Sequence, residues 1–429
     1  MVWVIAFGEL FFGDLWCVVW GYGGMRTHFS LLNPDRRQIV ARDWIRVALG
    51  MFAVAFGANL FAPLLPAYRI TDALNQSQVT FLFAIYVAGL IPALLICGPL
   101  SDRLGRRAII RPALITSAAG SVVLLTGVWF HFPSLLIGRL IVGISMGMVM
   151  AAGASWIKEI APVAPQISAR RATVALSAGF SLGPLASGLV AEFAPRPDVI
   201  PYLVHLALLL GITPLTWNAS GGLPTSAHSD TPQRFFSSAT LSPRFLWAVA
   251  AWAPWVFGAA CTSFVVLPTI AESSYPIAFA GLIACITMGT GVLVQPLVTR
   301  ISSSSFIPPA IFGLGLTTVG MLLSLIVALT QNVWSVFPAA LTLGAAYGVM
   351  MVSGLREVQI IAPPAELGAA TAIYYSLTYV GFFAPFVISF AAPKFGFVPV
   401  FVFGAIIAMV SMYPVAKVAQ SAVRSDGAS

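Results

Sequence analysis

Apolar residues run along this chain in unbroken blocks, and polar and charged residues crowd into the gaps between them. Twelve blocks can be marked between residues 44 and 417: 44–66, 77–100, 108–129, 133–157, 169–192, 199–217, 244–268, 275–298, 306–329, 332–355, 366–391 and 395–416. About 20 apolar residues in a helix cross the hydrocarbon of a bilayer. In lipid every backbone group must be paired internally, so only helices or closed barrels span it. The blocks do not alternate apolar with polar as barrel strands do. The expected fold is therefore all-α and integral to the membrane, with twelve transmembrane helices.

Most gaps are too short to fold separately. The exception, "NASGGLPTSAHSDTPQRFFSSATLSP" at 218–243, is rich in Ser, Thr, Pro and Gly and predicts a flexible linker. It divides the chain into an extension at 1–43, a six-helix half at 44–217, the linker, a second half at 244–417 and a tail at 418–429. Asn218-Ala219-Ser220 fits a glycosylation acceptor, but its expected place in the cytoplasm makes the match fortuitous. Residues 1–24 are apolar enough to insert, yet they hold Glu9 and Asp14 and no basic residue precedes them as in a signal peptide. A thirteenth span, a start assigned too early with the true one near Met25, and an interfacial segment all stay open.

Composition agrees with the pattern: 59% of residues are hydrophobic and 8% charged, where a soluble domain carries about a quarter charged. The net charge of +8 is a matter of topology. Eighteen of the 22 Lys and Arg residues fall on the side of the amino terminus, which marks the cytoplasmic side; Arg69, Arg196 and Lys394 lie opposite and Arg139 lies near the start of a span. Both ends of the twelve-helix core are expected in the cytoplasm, in the cell membrane, with no nucleic acid partner. Cys17, Cys97, Cys261 and Cys285 show neither metal spacing nor a disulfide framework, and no metal or cofactor is expected.

The two halves repeat. "GISMGMVMAAGASWIKEIAP" at 143–162 aligns with "GAAYGVMMVSGLREVQIIAP" at 344–363, and the same offset of 201 carries Pro184 onto Pro385. "GPLSDR" at 98–103 recurs in worn form as "QPLVTR" at 295–300. Tandem six-helix units place a substrate site at mid-membrane between the repeats, which rock against each other.

"GPLSDRLGRR" at 98–107 is the densest run of charge in the chain. Its Gly98, Asp102, Arg103, Gly105, Arg106 and Arg107 resemble the loop motif between the second and third helices of the major facilitator superfamily. Arg139 with Gly143 resembles the fourth-helix motif, although Val142 stands where Gln is usual. "GFSLGPLASG", with Gly179, Gly183, Pro184 and Gly188, resembles the fifth-helix motif of its antiporters, with Ser187 replacing one of a glycine pair. The resemblance covers about 44–417 and is most marked toward the twelve-helix drug/proton antiporter branch. It implies alternating access, export in exchange for protons, and a monomer.

Physically, a sharp turn between two helices calls for Gly98 and Gly105 as small or left-handed positions. The arginines hold the loop at the surface, where they meet lipid phosphate. Asp102 among them can pair with Arg106 or face the amino-terminal end of another helix, and the resemblance suggests the eleventh span near Glu366. Such contacts form in one conformation and break in the other, a latch in which Glu159 and Arg171 are further candidates; a plain solvated charge cluster is the alternative.

The acids Asp72, Asp102, Glu159, Glu192, Asp198, Glu272, Glu357 and Glu366 are all expected at span ends. Arg139, the charge at depth, is either a coupling residue or snorkels to the outer interface. His205 reads as a packed, hydrogen-bonded histidine. The cavity candidates are uncharged: Asn59, Tyr86, Trp252, Trp255, Tyr347, Tyr375 and Tyr379. Tyr374 and Tyr375 point apart on a helix, so at most one reaches the cavity. Such a lining suits a small amphipathic molecule, neutral or weakly anionic, although Trp and Tyr also form interfacial belts. An organic anion or metabolite transporter, or a transporter-like receptor, is the competing reading. No catalytic cluster and no phosphate loop is present in the sequence, so no enzyme activity is expected.

Overall fold

In the computed structural model, residues 34–160, 165–222, 237–301, 309–363 and 366–418 are described. The chain forms two units, Met1–Arg42 and Asp43–Ser429; in the first, residues 34–42 are helical. The segment 1–24, most of the expected linker and nearly all of the tail lie outside the described residues. The second unit holds twelve membrane-length helices: α1 (Asp43–Thr71), α2 (Gln76–Leu104), α3 (Arg107–Leu125), α4 (Gly127–Ile160), α5 (Ile167–Phe193), α6 (Ile200–Trp217), α7 (Pro243–Ile270), α8 (Pro276–Val298), α9 (Pro309–Thr330), α10 (Val333–Ile361), α11 (Leu367–Phe395) and α12 (Phe397–Val418). No strand occurs among the described residues.

The helix count matches the hydropathic blocks, and the ends differ for physical reasons. Hydropathy marks where lipid stops, whereas a helix continues while its backbone bonds are made. Thus α10 runs six residues past the expected 355, through Arg356 and Glu357. Conversely α3 stops at Leu125, short of the expected 129. The chain turns at His131, whose φ of 44° is not helical, before the long straight part of α4.

Several helices bend within the membrane. The first loses its regular ladder at a 3₁₀ turn, Ala62–Leu64, at Pro63. In α7 the ladder widens to i→i+5 bonding, with the Ala251 amide donating to the Leu246 carbonyl at 3.1 Å; it widens again at Thr262–Val266. A 3₁₀ turn at Val380–Phe383 interrupts α11. Such breaks leave helices pliable where they meet.

Successive helices alternate in direction. One end of the bundle, the basic face, carries the α2–α3 turn at Gly105; the opposite face carries the α1–α2 and α7–α8 turns.

The internal repeat is visible in atomic packing. A Cβ on Gly143 of α4 would stand 2.0 Å from the Tyr86 carbonyl oxygen of α2; on Gly344 of α10 it would stand 2.4 Å from the Thr287 carbonyl oxygen of α8. Both partners, like both glycines, are 201 residues apart in sequence. The two six-helix repeats therefore bury the same helix pair through the same backbone contact, which only glycine allows.

Candidate transport site

At the basic face α2 ends at Leu104 and α3 begins at Arg107. The turn is shorter than the apolar blocks imply, Gly105 and Arg106 alone instead of the whole stretch 101–107 between them. Gly105 adopts φ 90°, the region glycine alone enters freely. Gly98 does not serve the turn. It lies within α2, and a Cβ there would meet nothing within 4 Å, so the expected need for a small residue at 98 is absent.

Arg106 is the centre of the charge cluster. Its guanidinium pairs with Asp102 one turn back and with Glu159 at the end of α4 at 3.0 Å. It also donates to the Ser101 hydroxyl at 2.6 Å. One planar fork thus joins α2 to α4. Arg103 is exposed. Arg107 turns toward the end of α6, donating from its guanidinium to the Ala219 carbonyl and from its amide to the Gly222 carbonyl. The Arg171 guanidinium lies 4.1 Å over the Trp44 ring of α1. Glu366 takes the Ser237 hydroxyl at 2.7 Å and the Ser238 amide at 2.9 Å.

The segment after α6 ties this face together. Arg111 donates to the Trp217 carbonyl, and Trp156 of α4 donates to the Ser220 carbonyl at 3.0 Å. The Ser220 amide donates to Asp43 at 3.0 Å. Asp43, buried beside Arg46 at 2.8 Å, escaped the sequence reading, although an acid three residues before an arginine at the head of an apolar block is a legible pair.

Arg139 does not snorkel. It is 1% exposed, and its three nitrogens donate to the carbonyls of Leu82, Ala58 and Phe83 at 3.0–3.1 Å. The guanidinium carbon lies 4.7 Å from the Phe61 and Tyr86 ring centres. No carboxylate lies within 4.0 Å of it among the described residues. The outer-interface alternative fails because α1 and α2 close over it on both sides.

His205 is fully buried and its ring is satisfied. Nε2 donates to the Ala53 carbonyl at 3.0 Å, since a carbonyl can only accept. That leaves Nδ1 to accept from the Ser121 hydroxyl at 2.8 Å, the neutral form.

The repeats meet around an aromatic cluster. Phe257 of α7 stacks on Tyr379 of α11 at 4.5 Å and lies 5.3 Å from Tyr347 of α10. Phe382 of α11 bridges Phe257, Phe83 and Tyr86 at 5.0–5.6 Å. Tyr379 also donates to the Met150 sulfur of α4 at 3.1 Å. Of the cavity candidates, Tyr86, Tyr347 and Tyr379 come together here. Asn59 is buried and donates to the Phe180 carbonyl of α5 at 3.3 Å. Trp252 is sealed, donating to the Ala248 carbonyl of its own helix. Trp255 reaches α12, donating to Ser411 at 3.3 Å, and takes no part in the ring contacts of the cluster among the described residues. Tyr374 is spent on the Met350 carbonyl at 3.1 Å, while Tyr375 is left partly exposed. The Tyr86 hydroxyl is buried and makes no hydrogen bond among the described residues.

The segment resembling the antiporter motif touches two helices. Cβ atoms on Gly179 and Gly183 would stand 2.6 and 2.4 Å from the carbonyl oxygens of Phe52 and Phe56 in α1. Pro184 and Gly188 instead meet Gly281 of α8 in the other repeat. The matching crossing of α2 and α11 is made by the Thr80 and Ser389 hydroxyls, 2.7 Å apart. Thr80 and Ser389 are 201 residues from Gly281 and Gly188 respectively, so one pseudo-symmetric pair of crossings closes the opposite face.

Other contacts on that face also went unread in the sequence. Asp72 pairs with His131 Nδ1 at 2.6 Å, and the Tyr68 and Tyr202 hydroxyls meet at 2.7 Å. Neither pair is near in sequence. A cavity of about 600 Å³ opens there, lined by residues including Pro66, Arg69, Glu272 and Pro276.

Comparison with known proteins agrees with this architecture. A stretch of 152 residues is 30% identical to Quinolone resistance protein NorA of Staphylococcus aureus, 34% of this chain and 37% of that protein. Another of 164 residues is 24% identical to Multidrug resistance protein 2 of Bacillus subtilis, 38% of this chain and 40% of that protein. The matches thus span well under half of these relatives. A mutant of the peptide transporter POT superposes with a TM-score of 0.70 at 12% identity, covering 91% of this chain and 99% of that one. A D-xylose-proton symporter superposes with a TM-score of 0.68 at 15% identity, covering 88% and 97%. The model of the Major Facilitator Superfamily matches residues 47–384. With twelve membrane-length helices and this match over most of its length, the chain belongs to the Major Facilitator Superfamily.

Proposed function

We propose that this transporter exports small amphipathic molecules, neutral or weakly anionic, in exchange for protons, with the basic face in the cytoplasm. The observation that carries the reading is the aromatic junction with the buried Tyr86 hydroxyl, which makes no hydrogen bond among the described residues. A buried polar group left unpaired costs about 1–3 kcal/mol, and a passing molecule with a hydrogen-bond acceptor removes that cost. The surrounding rings offer apolar contact of matching character. The direction rests on the antiporter-like segment 179–188 and on the partial similarity to proteins named for quinolone and multidrug resistance. The organic anion reading is weaker, because the Arg139 nitrogens already donate to three carbonyls.

The test is made in proteoliposomes holding a pH-sensitive dye under an imposed proton gradient, with neutral, cationic and anionic compounds. Substrate-dependent proton flux is expected, lost in Asp102→Asn and Arg139→Ala and weakened in Tyr86→Phe. Silence across the panel with folded, inserted protein overturns proton exchange.

A further inference from the structure

Glu192, at the end of α5, has no part in the transport site described above, yet it reaches into the other repeat. Its Oε2 accepts the amides of both Ile277 and Ala278, in the first turn of α8, at 2.8 and 2.9 Å. Amides there have no partner within their own helix, and the helix dipole favours a negative charge beside them.

The internal repeat shows that this arrangement is not needed to build the helix. Ile277 and Ala278 correspond, 201 residues earlier, to Gln76 and Ser77 at the start of α2. That helix caps itself: Asn75 accepts the Gln78 amide, and the Gln78 side chain accepts the Asn75 amide in return. That cap is local and takes the amides of Asn75 and Gln78, so α2 starts without a carboxylate from the other repeat. In α8 the cap comes from across the junction, four residues beyond the Gly188–Gly281 crossing.

Among the described residues the charge on Glu192 meets these amides and no cation. Arg69 and Asp72 at the end of α1, Arg196 and Asp198 after α5, and Glu272 before α8 are the charged groups of the surrounding segments. Asp198 takes Arg196 at 3.4 Å and Asp72 takes His131 at 2.6 Å. None forms an ion pair with Glu192 among the described residues. Immediately before Ile277, Pro276 forms part of the wall of the 600 Å³ cavity, so release of α8 at this point moves the wall between that cavity and the interior.

We propose that the carboxylate of Glu192 is the charge that holds the two repeats shut on the face opposite the arginines, and that opening of this face requires it to leave the start of α8. The polar contacts on the other seam, the Thr80 and Ser389 hydroxyls at 2.7 Å and the Ser77 hydroxyl on the Ser389 carbonyl at 3.5 Å, are between neutral groups, so among the described residues the ionic hold is that of Glu192.

The test uses the full chain with its four cysteines replaced and Thr80→Cys and Ser389→Cys introduced, so that disulfide formation under mild oxidant in vesicles reports closure of the other seam. A cap acting only on α8 leaves that rate alone; a hold on the whole face does not. Glu192→Gln, of the same shape without the charge, is expected to slow cross-linking about tenfold, as for loss of a charged hydrogen-bond acceptor. Ile277→Pro removes a donor from the first turn of α8, where the amide has no partner within the helix, and is expected to slow it in the same direction. An unchanged rate in either folded variant overturns the proposal, and should Glu192→Gln fail to insert, Ile277→Pro decides. The readout needs neither substrate nor gradient, so it stands apart from the transport assay.

Discussion

Gly188 and Gly281 meet backbone to backbone across the junction of the repeats. A Cβ on Gly281 would stand 3.1 Å from the Gly188 Cα and 2.5 Å from the Pro184 carbonyl oxygen. Side chains at such points force helices apart at about 1–3 kcal/mol each. Gly281→Ala should therefore lower the melting temperature of purified protein while the chain still inserts. Adding Gly188→Ala should cost more than the two effects summed, since each wedge removes the space the other would use.

Arg106 holds two carboxylates and a hydroxyl at once, but the cluster is partly exposed, with side-chain accessibilities of 17% for Arg106 and 36% for Glu159. Exposed ion pairs contribute only about 0–1 kcal/mol each. Glu159→Gln should thus shift stability little and in a salt-dependent way. Arg106→Lys should behave like Arg106→Ala in transport kinetics, because an ammonium cannot span both acids from one position. Equal rates for Arg106→Lys and the parent would show that only the charge matters.

Arg139 is held by carbonyls from α1 and α2, so its removal should loosen both helices together. Hydrogen bonds to a charged group contribute about 1.5–3 kcal/mol each. Arg139→Lys keeps the charge but cannot reach the Leu82, Ala58 and Phe83 oxygens together. It should melt several degrees lower than the parent and lose most transport. Parent-like melting would show that the three bonds are dispensable.

His205 occupies the space beside Gly57, where a Cβ would come within 2.1 Å of its Cε1. Gly57→Ala should be among the most destabilising single changes in the first repeat. Combined with His205→Ala, it should be less harmful than alone, because the small side chain then enters the vacated space. A double variant as unstable as the sum of the two would contradict this packing.

Helix number and the repeat were legible because lipid imposes them through simple arithmetic: block length, charge side and an offset of 201. Arg106 and Arg139 were legible as charges out of place, and Tyr86, Tyr347 and Tyr379 as polar rings in apolar blocks. What stayed hidden was direction. Trp255 and Phe257, two residues apart in a regular stretch of α7, must point to different sides, but nothing in the order of residues says which of them joins the junction. Phe83, Phe257 and Phe382 read as ordinary membrane-helix residues. Glu192 was legible as an acid at a span end, but its partners lie 85 residues away. Gly98 misled in the other direction, because a motif position implied a steric need that the helix does not have.

The segment that follows α6 has a bearing on how the protein is made. Carbonyls of Trp217, Ala219 and Ser220 take donors from α3 and α4, and the Ser220 amide reaches Asp43 at the head of α1. Synthesis delivers the helices in order, so α1, α3 and α4 enter the bilayer well before the residues that bind them at the basic face exist. The ties made by residues 217–222 can therefore form only after these helices have been made, and come later than those Arg106 and Arg139 make among α1, α2 and α4.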